Sequence, residues 1–386
     1  MSVLEGCRLV HVTSSDMSLA LLLGPQLRAF AQAGMVVYGA SAPGPFVAQL
    51  EDWGVRHVPL RHSTRSLAPG KDFLACAELA HALRRLRPHV VHTHNPKPGI
   101  YGRVLARLCR VPVVVNTVHG LYATAEDGRW RRAAVWGLER LAAGFSDAEL
   151  VQSVEDLVTL ARLGVARPKL QLLGNGVDTA RFRPGTTGAR RAARARFGAR
   201  ESQVVVGTVG RLVWEKGLGE LAAAARLLAH QEPQVVFVVV GGPDPAKADS
   251  LSAADLERLG AAGNVRLLGH CHDVEDLYPG FDVYCLASRR EGFPRSVMEA
   301  AACGLPAVVS DVRGCRQAVE PGRTGVLVPP GRPDLLAGAL AGLARDPARR
   351  LAMGQAARRK AERHFDHRRV IEDTLATYAR LLARSP

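Results

Sequence analysis

Apolar residues in this chain come in short, dense runs, and stretches with helical spacing separate them. RLVHVT, at residues 8–13, reads as a buried strand, and the pattern over 19–33 predicts a helix that Gly34 ends. MVVYGAS follows as a second strand. The alternation then repeats: a helix over 46–53, strand VRHVPL, a helix over 73–86, strand HVVHTH, a helix over 100–109 and strand PVVVNTVH. A helix over 130–143, strand AELVQS, helix VEDLVTLARLG and strand LQLLGNGVD complete a first half.

The turn-rich NGVDTARFRP (175–184) and a basic stretch with few apolar residues (186–200) mark the domain boundary. The rhythm then restarts with QVVVGTVGRLVWEKG, a helix over 221–229, VVFVVVGG, a helix over 251–259, VRLLGH, a short helix over 273–277 and DVYCLAS. PAVVSD, GCRQAVEPGRTGVLVP, helical sequence over 334–364 and a last helix over 369–383 close the chain. Strands that alternate with helices predict parallel sheets covered on both faces, with ligands beyond the carboxyl ends of the strands. In the first half the loops in that position are 14–18, 65–72, 94–98 and 119–124.

Composition agrees with this picture and narrows it. A chain of 386 residues is too long for one ordinary core, so two domains are expected. No apolar run approaches the ~20 residues that span a bilayer, and MSVLEGCRLVHV lacks the features of a signal peptide. The seven cysteines are scattered without a CxxC pair, which fits reduced thiols and a cytoplasmic location. His270-Cys271-His272 has no neighbouring residues to complete a metal site, so no metal is expected. The net charge of +15 favours anionic partners such as nucleotides or an acidic lipid face. Nucleic acid is disfavoured, because no binding motif or interleaved aromatic pattern is present.

The densest candidate chemistry is RREGFPRSVMEAAACGLP, residues 289–306. It reads as a loop and a helix N-terminus between two strands, and unpaired N–H groups there suit phosphate. Glu291 and Glu299 bracket it and can accept hydrogen bonds from sugar hydroxyls, so the block suits a nucleotide sugar. Taken singly, both read first as ordinary first-turn and surface helix residues. Eight helical residues would separate them by roughly 12 Å, beyond the roughly 5–9.5 Å of a glycosidase pair. Arg211 and Lys216, above a strand end, form either a diphosphate clamp or two solvated charges. His119 ends a very apolar strand, placed either to act on a ligand or to serve the packing, and His92 and His94 read as packing or supporting residues. Lys97 lies in a loop stiffened by Pro96 and Pro98. The 130–143 helix carries Trp130, Trp136 and Leu141 among arginines, so it either rests on an anionic membrane or packs on its own sheet. The first loop lacks GxGxxG, which excludes an ordinary dinucleotide-binding domain.

Gly210-Arg211, Lys216-Gly217 and Glu291-x7-Glu299, in this order, resemble the family-4 retaining glycosyltransferases. NGVDTARFRP, GRLVWEKG, LLGH, EGFPRSVMEAAACGLP and GRTGVLVPP extend the resemblance over nearly the whole chain. It implies an α/β protein of GT-B architecture: two Rossmann-like domains whose parallel sheets face a central cleft. The N-terminal domain, 1–174, would take the acceptor and be joined by a crossover helix, 369–386. The C-terminal domain, 175–368, would bind the nucleotide sugar. By position, Arg211 and Lys216 would hold the donor diphosphate, beside Gly210. Glu291 and the backbone of Gly292, Phe293 and Pro294 would meet the transferred sugar, with Val297 nearby and Glu299 on the ribose. Gly269 and His270 would lie near the base, and His119 near the sugar 6-hydroxyl. SSDMS lacks the glycines usual in the family's first loop.

HTHNPKPGIYGR and VNTVHGLY are similar to bacterial members that extend lipid-linked sugars or build cell-surface polysaccharide. Ser15, Arg65 and Lys97, with Lys71, would then face an anionic acceptor. The resemblance implies retaining hexosyl transfer from a nucleotide-diphosphate sugar, a UDP-sugar, to a glycan or lipid-linked acceptor. It implies no cofactor beyond the co-substrate, and a cytoplasmic protein at the inner face of the membrane. Two alternatives share the fold: a nucleotide-sugar 2-epimerase and a non-catalytic sugar-nucleotide-binding subunit.

Overall fold

The computed structural model describes residues 3–94, 96–124, 127–245 and 247–384. The chain divides into two compact units, Met1–Gly174 with Arg369–Pro386, and Asn175–Arg368.

The first unit is a parallel sheet of seven strands: β1 (Arg8–Ser15), β2 (Val36–Ala42), β3 (Arg56–Pro59), β4 (Val90–His94), β5 (Val113–Val118), β6 (Ala148–Val151) and β7 (Leu170–Leu172), in the order β3-β2-β1-β4-β5-β6-β7. All its neighbouring strands pair in parallel. The second unit has six: β8 (Val204–Val209), β9 (Val235–Val240), β10 (Val265–Gly269), β11 (Val283–Leu286), β12 (Ala307–Ser310) and β13 (Gly325–Val328), in the order β10-β9-β8-β11-β12-β13, again parallel throughout. Both orders reverse direction beside the first strand of the unit, where an open α/β sheet forms its ligand crevice. Central strands such as β5 and β9 are buried along their whole length, which is why β9 reads as an unbroken apolar run.

Several boundaries differ from the periodicity. The helix expected over 19–33 is a π-helical turn, Ser18–Leu22, followed by an α-helix, Gly24–Gln32. Pro25, which has no N–H to donate, restarts the helix at its first turn. At Gly24 a Cβ would lie 2.7 Å from the Trp53 ring, which packs against this turn. Prolines also start two helices earlier than expected, at Pro69–Leu86 and Lys97–Leu108, so Lys71 and Lys97 are helical rather than loop residues. β1 runs on through Ser15, which pairs with Ala42, so Ser15 is a strand residue and not part of the 14–18 loop. Asn95, within the 94–98 loop, lies outside the described residues.

The basic stretch over 186–200 lies within the second unit, just past the boundary. It contains the helix Thr187–Arg196, and buried Arg194 donates to Asp282 Oδ2 at 2.6 Å within the second unit. The expected helix over 273–277 is two single 3-10 turns, Val274–Asp276 and Tyr278–Gly280. The last helix, His367–Leu382, buries Tyr378 edge-on against Phe30 of the first unit.

Candidate active site

At the carboxyl end of the second sheet, β8 delivers Gly210 and Arg211 into a loop, and a 3-10 turn, Trp214–Lys216, follows. Gly217 then takes φ +70° and starts the helix Leu218–Gln231. A Cβ on Gly217 would fall 1.9 Å from the carbonyl oxygen of Ala287, so only glycine lets this turn rest on the end of β11. That approach brings Lys216 to the central block: Lys216 Nζ donates to Glu291 Oε1 at 2.6 Å. Ser288, fully buried, donates to the same oxygen at 2.6 Å. Both hydrogen bonds of Glu291 among the described residues thus fall on Oε1, and the side chain is otherwise buried. Arg211 donates from Nη1 to Asp244 Oδ2 at 2.6 Å and remains 45% exposed. A narrow crevice is lined by Gly210, Arg211, Lys216 and Leu286.

The helix of the central block, Arg295–Ala302, begins after Pro294. Glu291 is therefore a loop residue, and the helical spacing assumed between it and Glu299 does not hold. Different partners separate the two carboxylates instead. Glu299 accepts from the Tyr278 hydroxyl at 2.8 Å. Burial raises the Glu299 carboxyl above its usual range, against the lowering effect of Arg295 and of that hydrogen bond. The loop is pinned from two sides. Asn175 Nδ2 donates to the Phe293 carbonyl at 3.2 Å, and Gly314, at φ +77°, packs so closely that a Cβ would lie 2.1 Å from the Gly292 carbonyl. Phe293 and Val297 face inward as core residues. Gly269, at φ +70°, accepts from Gly241 N at 2.8 Å, and exposed His270 stands edge-on to His272 at a ring distance of 4.6 Å.

In the first unit, His119 follows the end of β5 and stacks into a group of imidazoles. His94 Nδ1 meets His119 Nε2 at 2.9 Å, and His94 Nε2 meets His11 Nδ1 at 2.9 Å. His92, register partner of His11, bonds Tyr378 and Thr117. His92 and His94 are therefore part of one network with His119. Desolvation keeps these rings neutral: it pulls His11 down to about 3 and His119 to about 4, with His92 and His94 also well below the ordinary value. The ligand nitrogens of His11, His92 and His94 lie within 4.8 Å of one another, close enough to ask whether they hold a metal ion. His11 and His92 each stack near-parallel on His94, at 16° and 22°. Lone pairs lie in the ring plane, so stacked rings aim them along parallel lines rather than at one ion. This geometry fits a hydrogen-bonded stack better than a metal centre.

The acceptor-side residues are less available than the sequence implies. Lys97 Nζ donates to Thr64 Oγ1 at 3.0 Å, to Ser66 O at 2.7 Å and to Asp72, which uses all three of its donors. Arg65 is exposed on the loop that Lys97 holds. The Ser15 hydroxyl meets Ser18 Oγ at 3.1 Å. The helix Arg129–Ala143 is turned in an unusual way. Its inner side carries Glu139, which accepts from fully buried Arg103 at 2.6 Å, with Ala142 and Ala143. Its outer side exposes Trp130 at 76% and Leu141 at 64%. Sequence reasoning passed over Asp244, Ser288 and Tyr278, and singled out Asn175 only as the start of NGVDTARFRP. For each, only the contact with its partner shows its role.

Two parallel α/β sheets with phosphate-suited loops at the strand ends place the chain in the GT-B class of fold. HepE of Anabaena, solved with UDP, superposes with a TM-score of 0.79 at 21% identity, over 96% of this chain and 99% of that one. The Glyco_transf_4 model, "Glycosyltransferase Family 4", matches residues 26–181, and the Glycos_transf_1 model, "Glycosyl transferases group 1", matches 189–360. The UDP-Gal:alpha-D-GlcNAc-diphosphoundecaprenol alpha-1,3-galactosyltransferase of Escherichia coli is 30% identical over 274 residues, 70% of each chain. The capsular polysaccharide glycosyltransferase CapM of Staphylococcus aureus is 23% identical over 385 residues, 98% of each. The chain belongs to the family-4 glycosyltransferases and is a hexosyltransferase that uses a nucleotide sugar, retaining and metal-independent as the family is.

Proposed function

We propose that this enzyme moves a hexose from a UDP-sugar to a lipid-linked or cell-surface glycan precursor at the cytoplasmic face of a membrane. The single observation that carries the donor half is the Lys216–Glu291–Ser288 cluster beside Arg211. Breaking the anomeric bond to a diphosphate leaves negative charge on the phosphate and positive charge on the sugar. Arg211 and Lys216 stabilise the first, most effectively once water is excluded. Glu291, anchored through Oε1, keeps Oε2 for a sugar hydroxyl, and Glu299, anchored by Tyr278, takes the ribose. The backbone N–H groups at the start of Arg295–Ala302 complete the phosphate cradle. Gly210, Gly269 and His270 stand by the nucleotide, and His119 meets the sugar. The leaving phosphate itself helps to deprotonate the acceptor hydroxyl, so transfer proceeds with retention.

UDP in HepE and the undecaprenol-linked substrate of the E. coli relative support the donor and acceptor classes. On the acceptor side Arg65 is an exposed cation, while Lys97 positions its loop. Lys216→Ala is expected to lower turnover by about 10²–10³-fold with any acceptor, the scale of removing one such electrostatic contact. Near-normal turnover in a radiolabelled-donor assay would refute the clamp.

A further inference from the structure

Nothing in the sequence marks the stretch after β9, yet it is bonded to the loop that carries both clamp cations. Arg211 Nη1 donates to Asp244 Oδ2 at 2.6 Å, and Asp244 is itself buried, its N–H donating to Ser250 Oγ at 2.9 Å. Four residues beyond Arg211, Glu215 N donates to Asp249 Oδ2 at 3.1 Å, and Trp214 N donates to Asp249 O at 2.8 Å. An antiparallel bridge, Val213 to Ser250, is flanked by Leu212 N to Gly242 O and Leu251 N to Leu212 O, both at 2.9 Å. Lys216 is the last residue of the 3-10 turn whose N-terminus Asp249 caps.

We propose that Asp244 and Asp249 are positioning residues for the donor diphosphate: Asp244 orients the guanidinium of Arg211, and Asp249 fixes the turn that presents Lys216. The inference rests on the clamp reading given above. Its physical content is preorganisation. A free arginine or a loose four-residue turn must be ordered when the diphosphate arrives, and that entropy weakens binding. One bond to Asp244 anchors the planar fork at Nη1 and leaves its other N–H donors, on a side chain that stays half exposed, for phosphate oxygens. Asp249 acts on peptide groups and needs only an acceptor oxygen, which asparagine also supplies.

The test compares a nucleoside diphosphate with its own nucleoside, using the tightest binder among UDP, GDP, ADP and dTDP. Calorimetry gives the diphosphate Kd, and ligand-observed NMR gives that of the nucleoside. Asp244→Ala and Asp249→Ala are expected to weaken the diphosphate about ten-fold and leave the nucleoside within two-fold. Asp249→Asn is expected to restore diphosphate binding to within two-fold. Equal weakening of diphosphate and nucleoside would mean general damage and would overturn the proposal, as would unchanged diphosphate binding in both alanine variants. If an alanine variant does not fold, Ser250→Ala removes only the hydroxyl that accepts from Asp244, and it decides by the same comparison, with a three-fold weakening expected. Arg211→Ala and Lys216→Ala separate the two readings. If they do not weaken the diphosphate the clamp itself is wrong; if they do and the aspartate variants do not, only this inference fails.

Discussion

Gly217 shows how much one residue decides. Its positive φ and the Ala287 carbonyl 1.9 Å from any Cβ leave no room for a side chain. Lys216 meets Glu291 only because this turn sits directly on the end of β11. Gly217→Ala is expected to cost at least about 1–2 kcal/mol from the left-handed backbone alone, a fall of about 4 °C or more in the Tm of the second unit. Nucleoside diphosphate affinity should fall with it, because the backbone must move away from Ala287. Unchanged melting and unchanged affinity would show that the turn is not pinned. The sequence exposed the glycine and the lysine but not this reason, since the carbonyl comes from a strand about seventy residues later.

At the scale of elements, the neighbouring strands β1 and β4 and the residue after β5 are joined by imidazoles that burial keeps uncharged. The sign of the pH dependence follows. In the unfolded chain these rings take up protons below about pH 6.5, while in the fold they resist until about 3 for His11 and about 4 for His119. The unfolded state therefore binds more protons across that window, so stability falls as pH falls from about 6.5 toward these values. Each ring contributes up to about 1.4 kcal/mol per pH unit. Urea unfolding of the first unit is expected to lose more than about 2 kcal/mol between pH 7 and 5, and His11→Phe should flatten that slope. A flat profile in the unaltered protein would contradict the neutral stack. Periodicity identified the strands correctly but could not show that His11, His92, His94 and His119 converge, because they come from three strands brought together by the sheet order. Local chemistry also moved helix starts, as at Pro25, Pro69 and Pro98, where a proline in the first turn opens a helix instead of breaking a pattern.

For the molecule as a whole, the relevant features are its net charge of +15 and the outward apolar side of Arg129–Ala143. Arg129 lies over the Trp130 ring at 4.9 Å, so cation and aromatic form one surface feature suited to a headgroup layer. No helix among the described residues is long and apolar enough to cross a membrane. Binding to vesicles with anionic lipid is expected, with little binding to neutral ones, and should weaken at 0.5 M salt because exposed charges are screened. Trp130→Ala with Leu141→Ala should reduce it at least five-fold in a flotation assay, without changing diphosphate affinity. Equal flotation with neutral vesicles would argue against the electrostatic part. Read from sequence, the apolar residues of the same helix fitted inward packing more readily than an outward face. The buried Arg103–Glu139 pair, which turns that side inward, lies 36 positions apart along the chain.

The sequence by itself determined the two α/β halves, the parallel sheets and the family, and it singled out the cations and carboxylates of the proposed donor site. These depend on period, on strand-end position and on short motifs whose residues are neighbours along the chain. Tertiary structure alone decided which partner each charge takes: Lys216 with Glu291, Arg211 with Asp244, Glu299 with Tyr278, and Lys97 with Asp72. It also decided which side of a helix meets water. A buried charge must find a partner wherever the fold supplies one, and in a sheet whose strand order departs from chain order that partner is remote in sequence.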